Sequence, residues 1–469
     1  MTTAFDPATA SAVETARALA ERRVSSEDLT RSALARLRTV HEASNAVLVF
    51  EDDAAIAAAR AADSAIAAGH AVGPLHGVPL AHKDMFDRAG KVATWGGRIR
   101  ADTPAAADAT VIARLKSAGS HQIAALHLTE FAFGPTGHNY IHGHARNPYD
   151  QTRITGGSSS GSAISVSTGA VPMALGSDTA GSLRLPAAAC GVKSLKGTWT
   201  RVSRAGCMPL SGLLDCVGPI ARHMEDIALG FEIIAGHDPR DGLSAALPPP
   251  NMQAALAAPA RGLRIAIDEN LLAQAHPGVQ GQIAEAKAEL ERAGAAFTSG
   301  HFRDWGEIDH LTQLLQLPEV ASAHSEFLRT RADDYGPQVR ARIEFGHFIS
   351  GVDHMTAVRA RGSILREVLD TVFGDCDALL LPTFADPVPT IAELDLVGGP
   401  KLMAGIARVI LFTRAINYLG LPALTIPYAT WHDGVPNGFQ LVGRPFGEAA
   451  LITLGAAYER AVPPVVAKL

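Results

Sequence analysis

Two short runs of glycine and serine stand out in this chain: Gly156-Gly157-Ser158-Ser159-Ser160-Gly161-Ser162 and Gly176-Ser177-Asp178-Thr179-Ala180-Gly181-Ser182. A serine hydroxyl becomes a nucleophile or a proton carrier once a base activates it. Glycine lets a backbone turn tightly and lie close to a ligand. A flexible linker has a similar composition. Here, however, an apolar run from Ala170 to Leu175 separates the two and reads as a buried strand, so something rigid presents these serines. Upstream, Val78 to Ala81 reads as a short strand ending in His82-Lys83-Asp84. Charged groups just past an apolar strand often stand at the mouth of a crevice in α/β folds. Taken alone, Lys83 is more simply an ordinary solvated lysine.

Four chemistries use such residues. Metal chemistry is the first, because the chain has 18 histidines and His138, His142 and His144 lie close together. No HExxH and no comparable pair with an acidic partner follows, so no metal is expected. Phosphate cradling is the second. Both runs have the glycine spacing of a phosphate-binding loop, but both lack the lysine that must reach the terminal phosphates. The third is the nucleophile elbow GxSxG, which Gly157 to Gly161 matches formally. That elbow follows an apolar strand, whereas Tyr149 to Thr155 is poor strand material. The fourth pairs a lysine with serines. A buried ammonium is disfavoured and sheds its proton, and a second serine can relay that proton from the nucleophile. The glycines around Ser182 leave backbone N–H groups free to face a developing oxyanion.

These groups need a scaffold, and the chain supplies alternating elements. Residues 8–40 read as two helices, with Ser25-Ser26-Glu27-Asp28 as a cap, and 51–69 as an alanine-rich helix closed by Gly69. A helix at 109–119 leads into a strand at 122–126, a further helix starts near Glu225, and a strand at 263–267 precedes a helix at 279–292. Residues 306–373 read as mostly helical, and 378–382 and 423–427 as core strands. Such alternation is the pattern of an α/β sheet covered by helices. With 469 residues, 47% hydrophobic, and no tandem repeat, one large domain over 1–469 is expected. The net charge of −6 is spread over interspersed charges, so neither nucleic acid nor a membrane surface is an expected partner. No run approaches the ~18–20 apolar residues of a membrane span. The N-terminal residues lack a secretory start, and the four cysteines lack CxxC spacing. They read as reduced thiols of a cytoplasmic protein.

The chain resembles the amidase signature family of Ser-cisSer-Lys hydrolases. The matching pieces are Gly77 to Asp84, both Gly/Ser runs with Leu183-Arg184-Leu185-Pro186, Gly191-Val192-Lys193, Ala415 to Leu424 and Gly438 to Gly443, in the same order. The resemblance implies a large mixed, mostly parallel twisted sheet covered by helices on both faces, with a helical covering region at about 306–373. It implies Lys83 as the catalytic lysine, Ser158 as the bridging serine behind a cis peptide bond, and Ser182 as the nucleophile. Thr179, Ala180, Gly181 and Ser182 would form the oxyanion hole through their backbone N–H groups, with Ser159, Asp178 and Arg184 as supports. Ala180 and Ser160 stand where many members have glycine, and His82 and Met85 beside Lys83 are unusual neighbours. The expected activity is hydrolysis of an amide or a carbamate, without metal or cofactor, by a monomer or homodimer acting on a small molecule. The amidase subunit of a glutamine-dependent tRNA amidotransferase is a less favoured alternative, because Leu394 to Leu411 does not plainly show an acidic grip for glutamine. Loops 131–144 and 203–215, Trp95 and the region 306–360 are expected around the substrate, with Phe131, Phe133 and Tyr140 hinting at an aryl or apolar acyl group.

Overall fold

Eleven strands form two sheets among the residues that the computed structural model describes, which are 5–70, 73–302, 304–431 and 433–468. In chain order the strands are β1 (Val47–Phe50), β2 (Pro79–Lys83), β3 (His121–Leu126), β4 (Met173–Asp178), β5 (Lys193–Lys196) and β6 (Cys216–Ala221). They continue with β7 (Arg264–Ile267), β8 (Ala296–Ser299), β9 (Ala378–Pro382), β10 (Ala423–Pro427) and β11 (Gly438–Gly443). The large sheet runs β4-β6-β5-β10-β11-β9-β7-β8. Its inner strands β9 and β10 carry nearly continuous apolar sequence and are buried almost throughout, as strands covered on both faces must be. β8, at one end, is half exposed.

The large mixed sheet flanked by helices is therefore present, but its strands do not run mostly parallel. Five pairings in it are antiparallel and, among the described residues, only β7 with β8 and β7 with β9 are parallel. The reason lies in the connections. The helix Pro277–Arg292 carries the chain from β7 to β8 as a parallel crossover. Residues 428–437 instead fold β10 straight back onto β11, and β6 pairs against both β4 and β5. The helices Met224–Ile234, Met252–Ala257 and Glu448–Ala461 pack together on the sheet, and a second group, Ser160–Ser167 and Arg184–Ala189, packs on strands β4 to β6 and β10. Residues 306–373 are largely helical, as Trp305–Arg331, Pro337–Phe345 and Gly351–Val368.

β2, which ends in Lys83, belongs to the smaller sheet, β1-β3-β2. It pairs in parallel with β3 and lies beside β4 of the large sheet without a backbone ladder. A side chain closes the gap: the Leu175 N–H donates to His82 Nδ1 at 3.0 Å. Burial, with Arg88 nearby, pushes the His82 imidazole down to about 3, which keeps this nitrogen an acceptor. The unusual His82 is thus a cross-sheet link. Alternation along β2 turns Lys83 to the other side.

The strand read at Ala170 to Leu175 begins later, at Met173, and runs on through Gly176-Ser177-Asp178. The first Gly/Ser run ends in a helix, Ser160–Ser167, buried at every position. Gly161 is required there. A Cβ would sit 2.3 Å from the Ala46 carbonyl oxygen and 2.5 Å from the His127 nitrogen.

Candidate active site

Lys83 is 1% exposed, and its Nζ donates to Ser158 Oγ at 2.7 Å and to Ser177 Oγ at 2.8 Å. Neither partner carries charge. Burial lowers its pKa to about 7, against the raising fields of Asp178 and Asp215. A lysine in this state can hold or release a proton near neutrality. The Gly157–Ser158 peptide bond is cis. The following Ser159 N–H donates to the Ser182 carbonyl at 3.3 Å, which sets the two Gly/Ser runs against each other. Ser159 Oγ also exchanges 3.3 Å contacts with the backbone of Ser177.

Ser182 follows β4 in a turn that only glycine can make. Gly181 has φ +129°, and a Cβ there would lie 2.5 Å from Thr413 Oγ. The Gly181 N–H is turned inward, donating to Asp178 Oδ1 at 2.8 Å, so this group does not face the site as expected. The N–H groups of Thr179, Ala180 and Ser182 have no acceptor among the described residues. Thr413 Oγ steadies the turn by donating to the Ala180 carbonyl at 2.7 Å.

Beneath the turn lies a fully buried ion pair, Arg184 with Asp178, at 2.9 Å. Arg184 also donates to Gln440 Oε1, the Thr413 carbonyl and Asn417 Oδ1. Asn417 in turn donates to the Asp178 carbonyl at 3.0 Å. Burial alone would raise the Asp178 carboxyl, but the Arg184 charge and hydrogen bonds hold it well below the usual carboxylate range. Gln440 and Asn417 fall within the two C-terminal motifs noted in the sequence, which named no role for them. Ser177, Asp215 and Thr413 were also missed. Ser177 was visible inside the second run, but its contact with Lys83 depends on how β2 meets β4.

Ser182 opens into a cavity of about 260 Å³. Phe133, Leu210, Leu317, Leu402, Ile406 and Ile410 give it apolar walls, with Arg342 and Arg414 as its cations. Arg414 is paired with Asp309 at 2.7 Å. Arg342 has no carboxylate partner among the described residues; it donates to the Phe133 carbonyl at 2.8 Å and stacks over the Phe133 ring at 4.2 Å. Burial, with Arg414 adding to it, pushes its guanidinium down to about 10. Of the three aromatic residues expected here, only Phe133 lines the cavity. Phe131 is wholly buried, packed on His324 and Tyr335, because the backbone reverses at residues 131–132. Trp95 does not line the cavity either. The wall formed by 398–410 falls within Leu394 to Leu411, the segment weighed in the sequence for a glutamine grip and not for apolar walls.

Tyr140 belongs to a separate cluster. Its hydroxyl donates to Asp395 at 2.6 Å, and Asp395 lies 3.6 Å from His144 Nε2. His138, His144 and Asp395 bring possible metal donors within 4.8 Å of one another. Each already has a protein partner: His138 contacts Thr136 Oγ and the Ile391 carbonyl, and His144 accepts from the Asn139 N–H. The cluster is a clasp between residues 136–144 and 391–395.

Known proteins resemble this chain over most of its length. The amidase family model matches residues 28–452. A glutamyl-tRNA(Gln) amidotransferase subunit from Chloroflexus aggregans is 38% identical over 483 residues, covering 96% of each chain. A putative amidase, AmiD, of Mycobacterium bovis is 35% identical over 459 residues, covering 96% of this chain and 95% of its own. Among solved structures, a chain from a vestigial protein complex tied to the origins of an s-triazine catabolic enzyme superposes with TM-score 0.90 at 31% identity, covering 98% of this chain and all of its own. A bacterial aryl acylamidase superposes with TM-score 0.86 at 25% identity, covering 98% and 97%. The chain belongs to the amidase signature family, whose members act on carbon–nitrogen bonds.

Proposed function

We propose that this protein hydrolyses the C–N bond of a small-molecule amide through an acyl-enzyme on Ser182, with Ser158 as proton bridge and Lys83 as base. The observation that carries this reading is the Lys83 amine, buried and held, among the described residues, by hydroxyls alone, beside the run that packs on Ser182. As Ser182 Oγ attacks the carbonyl, its proton passes through Ser158 to neutral Lys83. The Thr179, Ala180 and Ser182 N–H groups face the oxyanion, while Gly181 holds Asp178 in place. The proton returns through Ser158 to the leaving nitrogen, and water then attacks the acyl ester with the same relay as base. The relay uses side chains alone, so no cofactor or metal is required of it.

The cavity supports an apolar or aryl acyl group, with a hydrogen-bond acceptor reaching Arg342. A carbamate carbonyl passes through the same tetrahedral oxyanion and is the alternative substrate. The names of several relatives favour a second reading, the amidase subunit of a tRNA-dependent amidotransferase. Electrostatics weigh against it. Free glutamine carries an ammonium as well as a carboxylate; the two guanidinium groups suit the carboxylate, but the described cavity lining offers no carboxylate for the ammonium. We place the enzyme in the cytoplasm as a monomer or homodimer, and its four unpaired cysteines support that compartment. No helix among the described residues is long and apolar enough to cross a membrane.

The test is a panel of anilides, primary amides, aryl carbamates and free glutamine, assayed with wild-type protein and Ser182→Ala. Turnover of apolar amides that vanishes in Ser182→Ala is expected. Glutamine as the preferred substrate, or co-purification of a second, different chain, would favour the amidotransferase reading instead.

A further inference from the structure

We propose that Asp215 is a positioning residue for this site: its carboxylate clamps the 179–182 turn and places an uncompensated negative charge where the Lys83 ammonium forms. The inference rests on the Ser–Lys reading above and adds a group that reading does not use.

Strand register puts Asp215 there. β4 pairs antiparallel with β6, setting Asp178 opposite Cys216 and Ser177 opposite Val217. Asp215, one residue before Cys216, therefore meets Thr179, one residue after Asp178. The Thr179 hydroxyl donates to Asp215 Oδ1 at 2.6 Å, while Asp215 Oδ2 accepts from the Leu210 and Ser211 N–H groups, both at 2.9 Å. One carboxylate thus ties the turn that bears Ser182 to the loop that brings Leu210 into the cavity wall. On its other side lies a second cavity of about 290 Å³, lined by Ser177, Asp215, Met208, Arg204 and Asp241 among others. Ser177 is itself a partner of Lys83.

The charges around the lysine explain why Asp215 matters. Two carboxylates act on Lys83, Asp178 and Asp215. Asp178 is neutralised in contact by Arg184, with Lys196 also near it. Among the described residues, the Asp215 carboxylate accepts only from one hydroxyl and two N–H groups. The guanidinium that acts on it, Arg204, is itself bonded to Asp241. The Cys207 and Cys216 thiols, which also face this region, are raised by burial and stay neutral. Burial raises the Asp215 carboxyl and its Thr179, Leu210 and Ser211 hydrogen bonds hold it down; as a carboxylate with no cation bonded to it among the described residues, it favours the protonated lysine after Ser182 has lost its proton. Opposite charge nearby favours the charged form of a group.

The test does not need the substrate. An alkyl fluorophosphonate labels an activated serine with loss of fluoride, and the labelling rate can be followed by intact mass from pH 5 to 9. In wild-type protein the rate should rise with pH as Lys83 deprotonates, and Ser182→Ala should take no label. Asp215→Asn should label about tenfold more slowly, with the midpoint moved down by about one pH unit. Thr179→Val, which loses the clamp hydroxyl, should slow labelling, and Thr179→Ser should restore the rate. An unmoved midpoint in Asp215→Asn, or wild-type labelling in Thr179→Val, overturns the proposal while leaving the Ser182 reading intact. Label retained in Ser182→Ala overturns both. Should Asp215→Asn fail to fold, the Thr179 pair still decides the clamp.

Discussion

Lys83 and Arg184 are both cations removed from water against the same serine-bearing turn, yet the fold gives them opposite surroundings. Lys83 meets two hydroxyls; Arg184 meets a carboxylate, two amide side-chain oxygens and a backbone carbonyl. Desolvation disfavours both charges equally in kind, so the partners decide the outcome. The lysine, without a contacting anion, falls to about 7 and becomes a base. The arginine, bonded to Asp178, fixes the shape of the turn. Chemistry and architecture are separated between two residues of the same sign.

Substituting methionine at each position should break the comparison in opposite ways. Lys83→Met removes the base but no ion pair, so kcat should fall by about 10²–10⁴-fold while thermal stability holds or rises. The pH profile sharpens the point. The Lys83 pKa is depressed from its ordinary value, so the neutral, active form exists above about 7 and is lost as pH falls through it. Wild-type kcat/KM should drop on that acid limb, and the residual rate of Lys83→Met should not. A wild-type profile flat down to pH 5 would refute a neutral lysine base.

Arg184→Met leaves Asp178 as a buried carboxylate without its counter-ion. Breaking one side of a buried pair costs about 3–5 kcal/mol, which urea unfolding would register as a large loss. Stability equal to wild type would mean that the pair does not organise the turn.

How much of this could be read from the chain differs by region for physical reasons. Lys83, the two Gly/Ser runs and the helix-on-sheet class were legible, because they rest on local composition and on a motif order shared with a family. Strand direction was not. The same alternation of helix and strand serves the parallel β7–β8 crossover and the antiparallel β10–β11 hairpin, and only the connection distinguishes them. The Ser160–Ser167 helix was hidden because serine and glycine are weak helix formers, and burial overrides that preference. Phe131 and Tyr140 looked like pocket residues by type. The turn at 131–132 sends one into the core, and Asp395, some 250 residues away in the chain, holds the other. Leu402, Ile406 and Ile410 recur every four residues, as apolar residues do on any amphipathic helix, and nothing local says that a cavity rather than a sheet lies opposite.

Ser177 offers the finest test of the comparison. If hydroxyl partners keep Lys83 oriented rather than charged, removing one of the two should matter little for protonation and modestly for aim. Ser177→Ala takes away a single neutral hydrogen bond, worth about 0.5–1.5 kcal/mol, or roughly a two- to twelvefold loss in kcat. Its acid limb should stay close to the wild-type position, because the lysine gains no charge and loses none nearby. A limb displaced by more than a pH unit would show that the second hydroxyl sets the protonation of Lys83. The contrast with Arg184 would then rest on hydrogen bonding as much as on the missing anion.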